Sequence, residues 1–219
     1  MPTVKVCCIA SVEEARLAQA AGAAALGLVS AMPSGPGVID DEAVATIARA
    51  MRGAAVRTFL LTARTTAAAI AEQHRHAGTT TLQLVDHVPH DELRALRERC
   101  PGVELVQVIH VTGEDSVDDA VAVAPHVDAI LLDSGNPALA VKELGGTGRT
   151  HDWRLSRRIR DAVHPLPLWL AGGLHAANVG AAIAAVRPHG LDLCSSVRSD
   201  GRLDAAKLDA FMAAVRAAR

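Results

Sequence analysis

Aromatic side chains are almost missing from this sequence: two Phe, two Trp and no Tyr in 219 residues. A surface that stacks nucleobases needs such rings, and a formal net charge of −2 offers no basic field for a phosphate backbone. Nucleic acid is therefore not an expected partner. No apolar run approaches the ~18 residues that a membrane span requires. The opening MPTVKVCC also holds no stretch of signal-peptide length. A cytoplasmic protein with no membrane partner is expected. Cysteine is scarce too. Cys7, Cys8, Cys100 and Cys194 include no C-x-x-C pair, so a zinc or thioredoxin-type site lacks its spacing. A reducing compartment disfavours disulfides. Cys7 and Cys8, adjacent on one strand, would point to opposite faces and make poor partners for one metal.

What is abundant is aliphatic. Half of the residues are hydrophobic and the mean hydropathy is +0.21, so a large core can be built from Ala, Val, Leu and Ile. Short β-branched runs at 3–8, 25–29, 55–61, 80–84, 103–110, 127–133, 167–171 and 190–195 alternate with Ala-rich stretches. Those stretches predict helices near 12–21, 40–52, 65–76, 89–99, 114–124, 152–163, 175–185 and 204–217. Ser11, Asp40 and Asp91 with Glu92 mark helix starts. Gly22, Gly53 and Gly78 stand where C-terminal caps belong. Strand–helix alternation implies parallel strands with right-handed crossovers. Eight such units predict a single α/β domain over residues 1–219, a closed (β/α)8 TIM barrel. A doubly wound open sheet is the alternative, but no G-x-G-x-x-G follows the first strand.

In such a barrel the chemistry lies where strands end and loops begin. Cys7 and Cys8 close the first strand, Asp133 closes the sixth, Gly172 and Gly173 follow the seventh, and Ser195 and Ser196 follow the eighth. Asp128, at the start of the sixth strand, falls on the opposite, stability-bearing face. Three small-residue segments sit late in the chain: ELGGTGRT (143–150), AGGLHAANV (171–179) and DLCSSVRS (192–199). Glycine lets backbone N–H groups approach a phosphate, and helix N-termini add partial positive charge. Any one Gly-Gly could be a turn. Three together point to a sugar phosphate held by Gly146, Gly148, Gly172, Gly173, Ser195 and Ser196.

These segments carry a resemblance. Lys5-Val6-Cys7-Cys8-Ile9-Ala10 is similar to the K-[VI]-C-G-[IL]-[TK] opening of the phosphoribosylanthranilate isomerase family. Asp128 to Ser134 matches its D-x-[IL]-L-L-D-[ST] strand, Gly145 to Trp153 its G-G-T-G-[KR]-[TS]-x-[DN]-W segment, and Leu170 to Val179 its L-A-G-G-L-x-x-x-N-V segment. Leu191 to Arg198 follows its [VL]-D-x-S-S-G-V-E strand with changes. The resemblance implies a TIM barrel and an Amadori rearrangement. The furanose of an N-(5-phosphoribosyl) arylamine opens to a Schiff base, a proton leaves C2, and a 1-amino-1-deoxyribulose 5-phosphate results. It implies Cys7 as the base and Asp133 as the acid; Lys5, Gln83, Asp192 and Arg198 are the candidate substrate contacts. No metal or nucleotide cofactor is implied, and the chain is expected as a monomer or homodimer.

The chemistry sets conditions of its own. A thiol with a pKa of about 8.5 needs help to act as a base, and Lys5, two residues earlier on the same strand face, could favour the thiolate. An aspartic acid proton donor must hold its proton above the usual ~3.9, which demands a partly desolvated site. Without the motif, Cys7 reads as a small buried hydrophobe and Asp133 as a loop cap. Cys8, where the family has glycine, reads as packing.

Three departures fall near the site. Where the family carries S-P-R, whose arginine holds the anthranilate carboxylate, the stretch here is MPSGPGVID and the matching position is Gly37. The family's Q-L-H-G is Gln83-Leu84-Val85-Asp86, and its S-S-G-V-E is Cys194-Ser195-Ser196-Val197-Arg198. Arg198 could replace the lost cation or be a solvated loop residue. Three functions stay open: isomerisation of phosphoribosylanthranilate, the same rearrangement of another N-phosphoribosyl amine, and a non-catalytic phosphosugar-binding barrel.

Overall fold

A computed structural model describes residues 1–146 and 148–218, so Thr147 of the G-G-T-G segment lies outside the described residues. Eight parallel strands close into a barrel in sequence order. They are β1 (Thr3–Val6), β2 (Ala25–Val29), β3 (Arg57–Thr62), β4 (Thr81–Leu84), β5 (Glu104–His110), β6 (Ala129–Asp133), β7 (Leu168–Leu170) and β8 (Gly190–Leu193). The helices between and after them are α1 (Val12–Ala20), α2 (Asp41–Ala50), α3 (Ala67–Ala77), α4 (His90–Arg99), α5 (Asp115–Val123), α6 (Trp153–Val163), α7 (Val179–Val186) and α8 (Ala205–Ala217). No helix among the described residues is long and apolar enough to cross a membrane.

Local chemistry sets several helix starts. Ser11, Asp40, Asp152 and Asp204 each accept a backbone N–H in the first turn of the helix they precede, satisfying donors that have no intrahelical partner. Strands bury both faces, as parallel strands under helices must. Their outward residues, among them Val6, Leu26, Leu28, Leu60, Leu82 and Ile130, pack on the helices. Their inward residues, Val29, Phe59, Leu61, Val106, Leu131 and Trp169, fill the lumen. Phe59 meets Trp169 edge to face at 5.7 Å between ring centroids. Arg57 caps this stack, 5.5 Å and 5.3 Å from the two ring centroids. Its guanidinium holds Glu104 at 2.9 Å, and Thr81 adds its hydroxyl to the same carboxylate. Asp128 pins the stability face by accepting from Arg97 at 2.7 Å and from the Leu105 amide.

Three expectations about elements need correction. The first strand ends at Val6 rather than reaching residue 8, because Cys8 takes a left-handed backbone with φ of 62°. The seventh helix begins at Val179 rather than near 175. There the Asn178 side chain accepts from the His175 amide and donates to the Gly173 carbonyl, folding 173–178 into a turn. After β8 the chain makes a 3-10 turn (Ser195–Val197), then a two-stranded hairpin of β9 (Arg198–Ser199) and β10 (Arg202–Leu203).

Candidate active site

The C-terminal ends of the strands surround an open cavity that takes in the β1 turn, Asp133 and the late glycine loops. Its floor begins at the barrel seam. β1 and β8 pair with Lys5 opposite Asp192, and the fully buried Lys5 Nζ donates to Asp192 Oδ2 at 2.8 Å. Burial works against the ammonium, but Asp192 and the neighbouring Cys7 outweigh it, and Lys5 is held protonated. One residue past β1, the Cys7 amide donates to the Leu193 carbonyl at 2.8 Å. That bond directs its side chain into the cavity. Gly27 makes the room: a Cβ there would stand 2.7 Å from Cys7 Sγ and 3.0 Å from Lys5 Nζ. Thiol and ammonium thus share one small volume.

Asp133 ends β6 on another wall of the same cavity. Its Oδ1 accepts from the Ser134 amide at 2.7 Å. Its Oδ2 faces Gly145, where a Cβ would come within 2.5 Å. Between these groups, Gln83 Oε1 and Asp192 Oδ1 are buried with no hydrogen-bond partner among the described residues. Both residues line the cavity, so these oxygens are placed to accept from hydroxyls of a bound sugar.

The three late loops meet at one end. Gly146, Gly148, Gly172, Gly173 and Ser195 all line the cavity. The loop after β6 lies directly on the loop after β7. A Cβ on Gly173, whose φ is 60°, would strike Gly148 O at 2.9 Å and Thr150 N at 2.9 Å. A Cβ on Gly148 would stand 3.8 Å from Ser195 Oγ. Such a backbone-lined concavity suits an oxyanion. His151 stands behind it, its Nδ1 3.0 Å from the Cβ position of Gly172. Burial holds this imidazole below its ordinary pKa, against the pull of Asp133 and Asp152.

Three anticipated site residues lie away from the cavity wall, the first being Lys5, fully buried beneath it and bonded to Asp192. Ser196 sits behind Ser195, its hydroxyl buried without a partner among the described residues. Arg198 is turned outward from the cavity and does not stand in for the lost arginine. It pairs with Glu14 at 3.2 Å, donates to the carbonyls of Cys7 and Cys8 and reaches Gly201 O at 3.1 Å. Glu14 also accepts from the amides of Ala10 and Leu203. Burial would raise its pKa, but these amides and Arg198 bring it below the usual carboxylate value.

The idea that Cys7 and Cys8 face opposite ways also fails. Both line the cavity, because the left-handed residue breaks the strand alternation. Cys8 occupies the space beside Gly37, where φ is 75° and a Cβ would lie 2.4 Å from Cys8 Cβ. No larger side chain fits at 37 while this backbone and Cys8 are in place. Asp86 is not a cavity residue; it is matched by Lys142, Nζ to Oδ2 2.6 Å. Met32, Gly35, Pro36, Leu61, Leu144 and Cys194 also stand on the wall. Sequence reasoning did not select them, and apolar loop residues carry no signal that separates wall from core.

Fold and site define a phosphosugar-type barrel enzyme, with a thiol and a carboxylate on one cavity and a glycine cradle at its end. The chain belongs to the N-(5'-phosphoribosyl)anthranilate (PRA) isomerase family, whose model matches residues 4–214. The N-(5'-phosphoribosyl)anthranilate isomerase of Methanocella arvoryzae is 33% identical over 202 residues, 92% of each chain. That of Haloferax volcanii is 36% identical, covering 100% of this chain and 95% of the relative. The solved phosphoribosyl anthranilate isomerase of Thermotoga maritima superposes with a TM-score of 0.83 at 27% identity, over 99% of this chain and 100% of that one. A phosphoribosyl anthranilate isomerase in complex with reduced 1-(o-carboxyphenylamino)-1-deoxyribulose 5-phosphate gives a TM-score of 0.81 at 25% identity, over the same shares.

Proposed function

We propose that this protein is an aldose–ketose isomerase that converts N-(5'-phosphoribosyl)anthranilate to 1-(o-carboxyphenylamino)-1-deoxyribulose 5-phosphate, a step of tryptophan biosynthesis. The observation that carries this reading is the placement of Cys7 and Asp133 on one cavity that also presents the glycine cradle. In this mechanism the phosphate rests on the loops at Gly146, Gly148, Gly172, Gly173 and Ser195. Asp133 gives its proton to the ring oxygen, and the furanose opens to the Schiff base. Cys7, as thiolate, then takes the proton from C2, and the resulting enol becomes the ketone. The ammonium of Lys5 stands in the same small volume as the sulfur, while Gln83 and Asp192 accept from the ribose hydroxyls. Assistance of this kind is worth about 10²–10⁴-fold per group.

The deciding experiment follows the fluorescence of freshly prepared phosphoribosylanthranilate, with Cys7→Ala as the blank. We expect kcat/KM of about 10⁴ M⁻¹s⁻¹ or more, the low end for ordinary enzymes. A folded protein that binds a ribulose-phosphate analogue without turning over the substrate would overturn the anthranilate assignment. One observation favours a second amine: no Arg, Lys or His stands among the described residues lining the cavity. A bidentate guanidinium contact to a carboxylate is worth roughly 1.5–3 kcal/mol. On that reading, N-phosphoribosylaniline, which lacks the carboxylate, would be isomerised with kcat/KM equal to or above that of the anthranilate.

A further inference from the structure

Cys8, Cys194 and Arg198 stand where the family's opening and closing motifs have glycine, serine and glutamate, and the fold brings all three together. β8 lies beside β1 with Leu193 opposite Val6, so Cys194 leaves its strand next to the Cys7–Cys8 turn. The left-handed backbone at Cys8 swings its side chain to the cavity side. There its thiol donates to the Pro36 carbonyl at 3.5 Å, and Cys194 lines the same stretch of cavity wall. Arg198 clamps the arrangement from behind, donating to the Cys7 carbonyl at 3.0 Å and to the Cys8 carbonyl. Cys8 is buried and Cys194 is part-exposed, and both face the same solvent-connected cavity. The isomerisation uses neither.

We propose that Cys194 and Cys8 form an oxidation site for hydroperoxides, in which Cys194 is attacked first and Cys8 closes a disulfide across the mouth of the cavity. The two thiols are matched for this. Cys8 draws the Cys194 thiol below its ordinary pKa; burial opposes this, and Arg198 adds to it. Cys194 and Cys7, together with burial, push Cys8 up. A part-exposed thiol beside a buried resolving thiol is the arrangement that peroxides oxidise to a disulfide, with Cys194 met first. The Cys194 thiolate attacks the terminal peroxide oxygen, the O–O bond breaks, and the departing alkoxide or hydroxide takes a proton. Cys8 sulfur then attacks the sulfenic sulfur, and the hydroxyl leaves as water with the Cys8 proton. Two thiols lose two electrons in total, and the hydroperoxide is reduced to an alcohol, or water, plus water. The new bond ties the β1 turn to the β8 turn beside Cys7, which stops turnover until a dithiol reduces it.

The thiol chemistry stands without the isomerase reading; only the activity readout rests on it. Fully reduced protein is titrated with hydrogen peroxide and followed by thiol count, intact mass and peptide mapping. The expected result is loss of two of the four thiols, a mass lower by two hydrogens, and a Cys8–Cys194 linked peptide. Isomerase rate should fall at least tenfold in step with the link and return with dithiothreitol. Cys194→Ser, compared with its own untreated rate, should lose less than half under the same treatment. Cys8→Ser should accumulate a sulfenic acid at Cys194 that a cyclic diketone traps. Oxygen added first at Cys7, a Cys7–Cys8 link, or no link at all in the wild-type protein would each overturn the proposal. These wild-type readouts hold even if a variant fails to fold.

Discussion

Each thiol on the cavity wall has a distinct expected role, and substitution separates them. Cys7→Ala and Asp133→Asn remove the proposed base and acid while changing little volume. We expect each to lower kcat by about 10²–10⁴-fold, with far-UV circular dichroism and melting unchanged. A normal rate in either would remove that residue from the mechanism. Cys8→Gly should hold unfolding free energy within about 1 kcal/mol of wild type. Glycine relieves a left-handed backbone that costs other residues about 1–2 kcal/mol, against the lost packing of a buried thiol. Chemical denaturation checks this. Gly37 and Cys8 are two halves of one exchange: the side chain present at 8 fills the space a side chain at 37 would need.

At the scale of elements, the loops decide ligand affinity. Gly173→Ala would press a methyl group into the backbone of the preceding loop and strain a left-handed residue. We expect the Kd for a ribulose 5-phosphate analogue to rise about tenfold, the equivalent of 1.4 kcal/mol, which isothermal calorimetry measures. An unchanged Kd would mean that the two loops do not form the cradle together. The repeat of eight strands and helices was readable because each unit carries its own periodicity and turn residues. The end of β1 was not, since the backbone angle at Cys8 comes from the surroundings of the turn. The start of α7 was hidden because Asn178, a residue that also caps helices, spends its side chain on a turn instead. The cradle glycines were visible as a composition signal. Arg198 was misplaced because sequence offers a charge without its partner, and Glu14 lies 184 residues away.

At the scale of the whole molecule, the seam between the first and last strands holds the barrel closed. Removing one partner of a buried ion pair leaves the other charge stranded, typically at a cost of about 3–5 kcal/mol. Asp192→Asn should therefore destabilise the fold by that amount in urea titrations, and a loss below 1 kcal/mol would mean Lys5 finds another acceptor. Outside the seam, Glu14 ties α1, the β1 turn and the hairpin together. Its carboxyl pKa is lower folded than unfolded, so its stabilisation is present above the ordinary value near 4.3 and is lost as pH falls through the folded value. Glu14→Gln should thus melt below wild type at pH 7, and the gap should close in acid. A gap that stays constant however far the pH is lowered would contradict this.

The pairing of residue 5 with residue 192 also sets the order of events during synthesis. Of the eight barrel strands, β1 is made first and β8 last. Until Asp192 clears the exit tunnel, Lys5 has no counter-ion and cannot be buried. Until then β1 lacks the strand on one of its two sides. The cavity wall, which takes residues from the β1 turn and from the end of β8, is complete only when both ends of the barrel have been made.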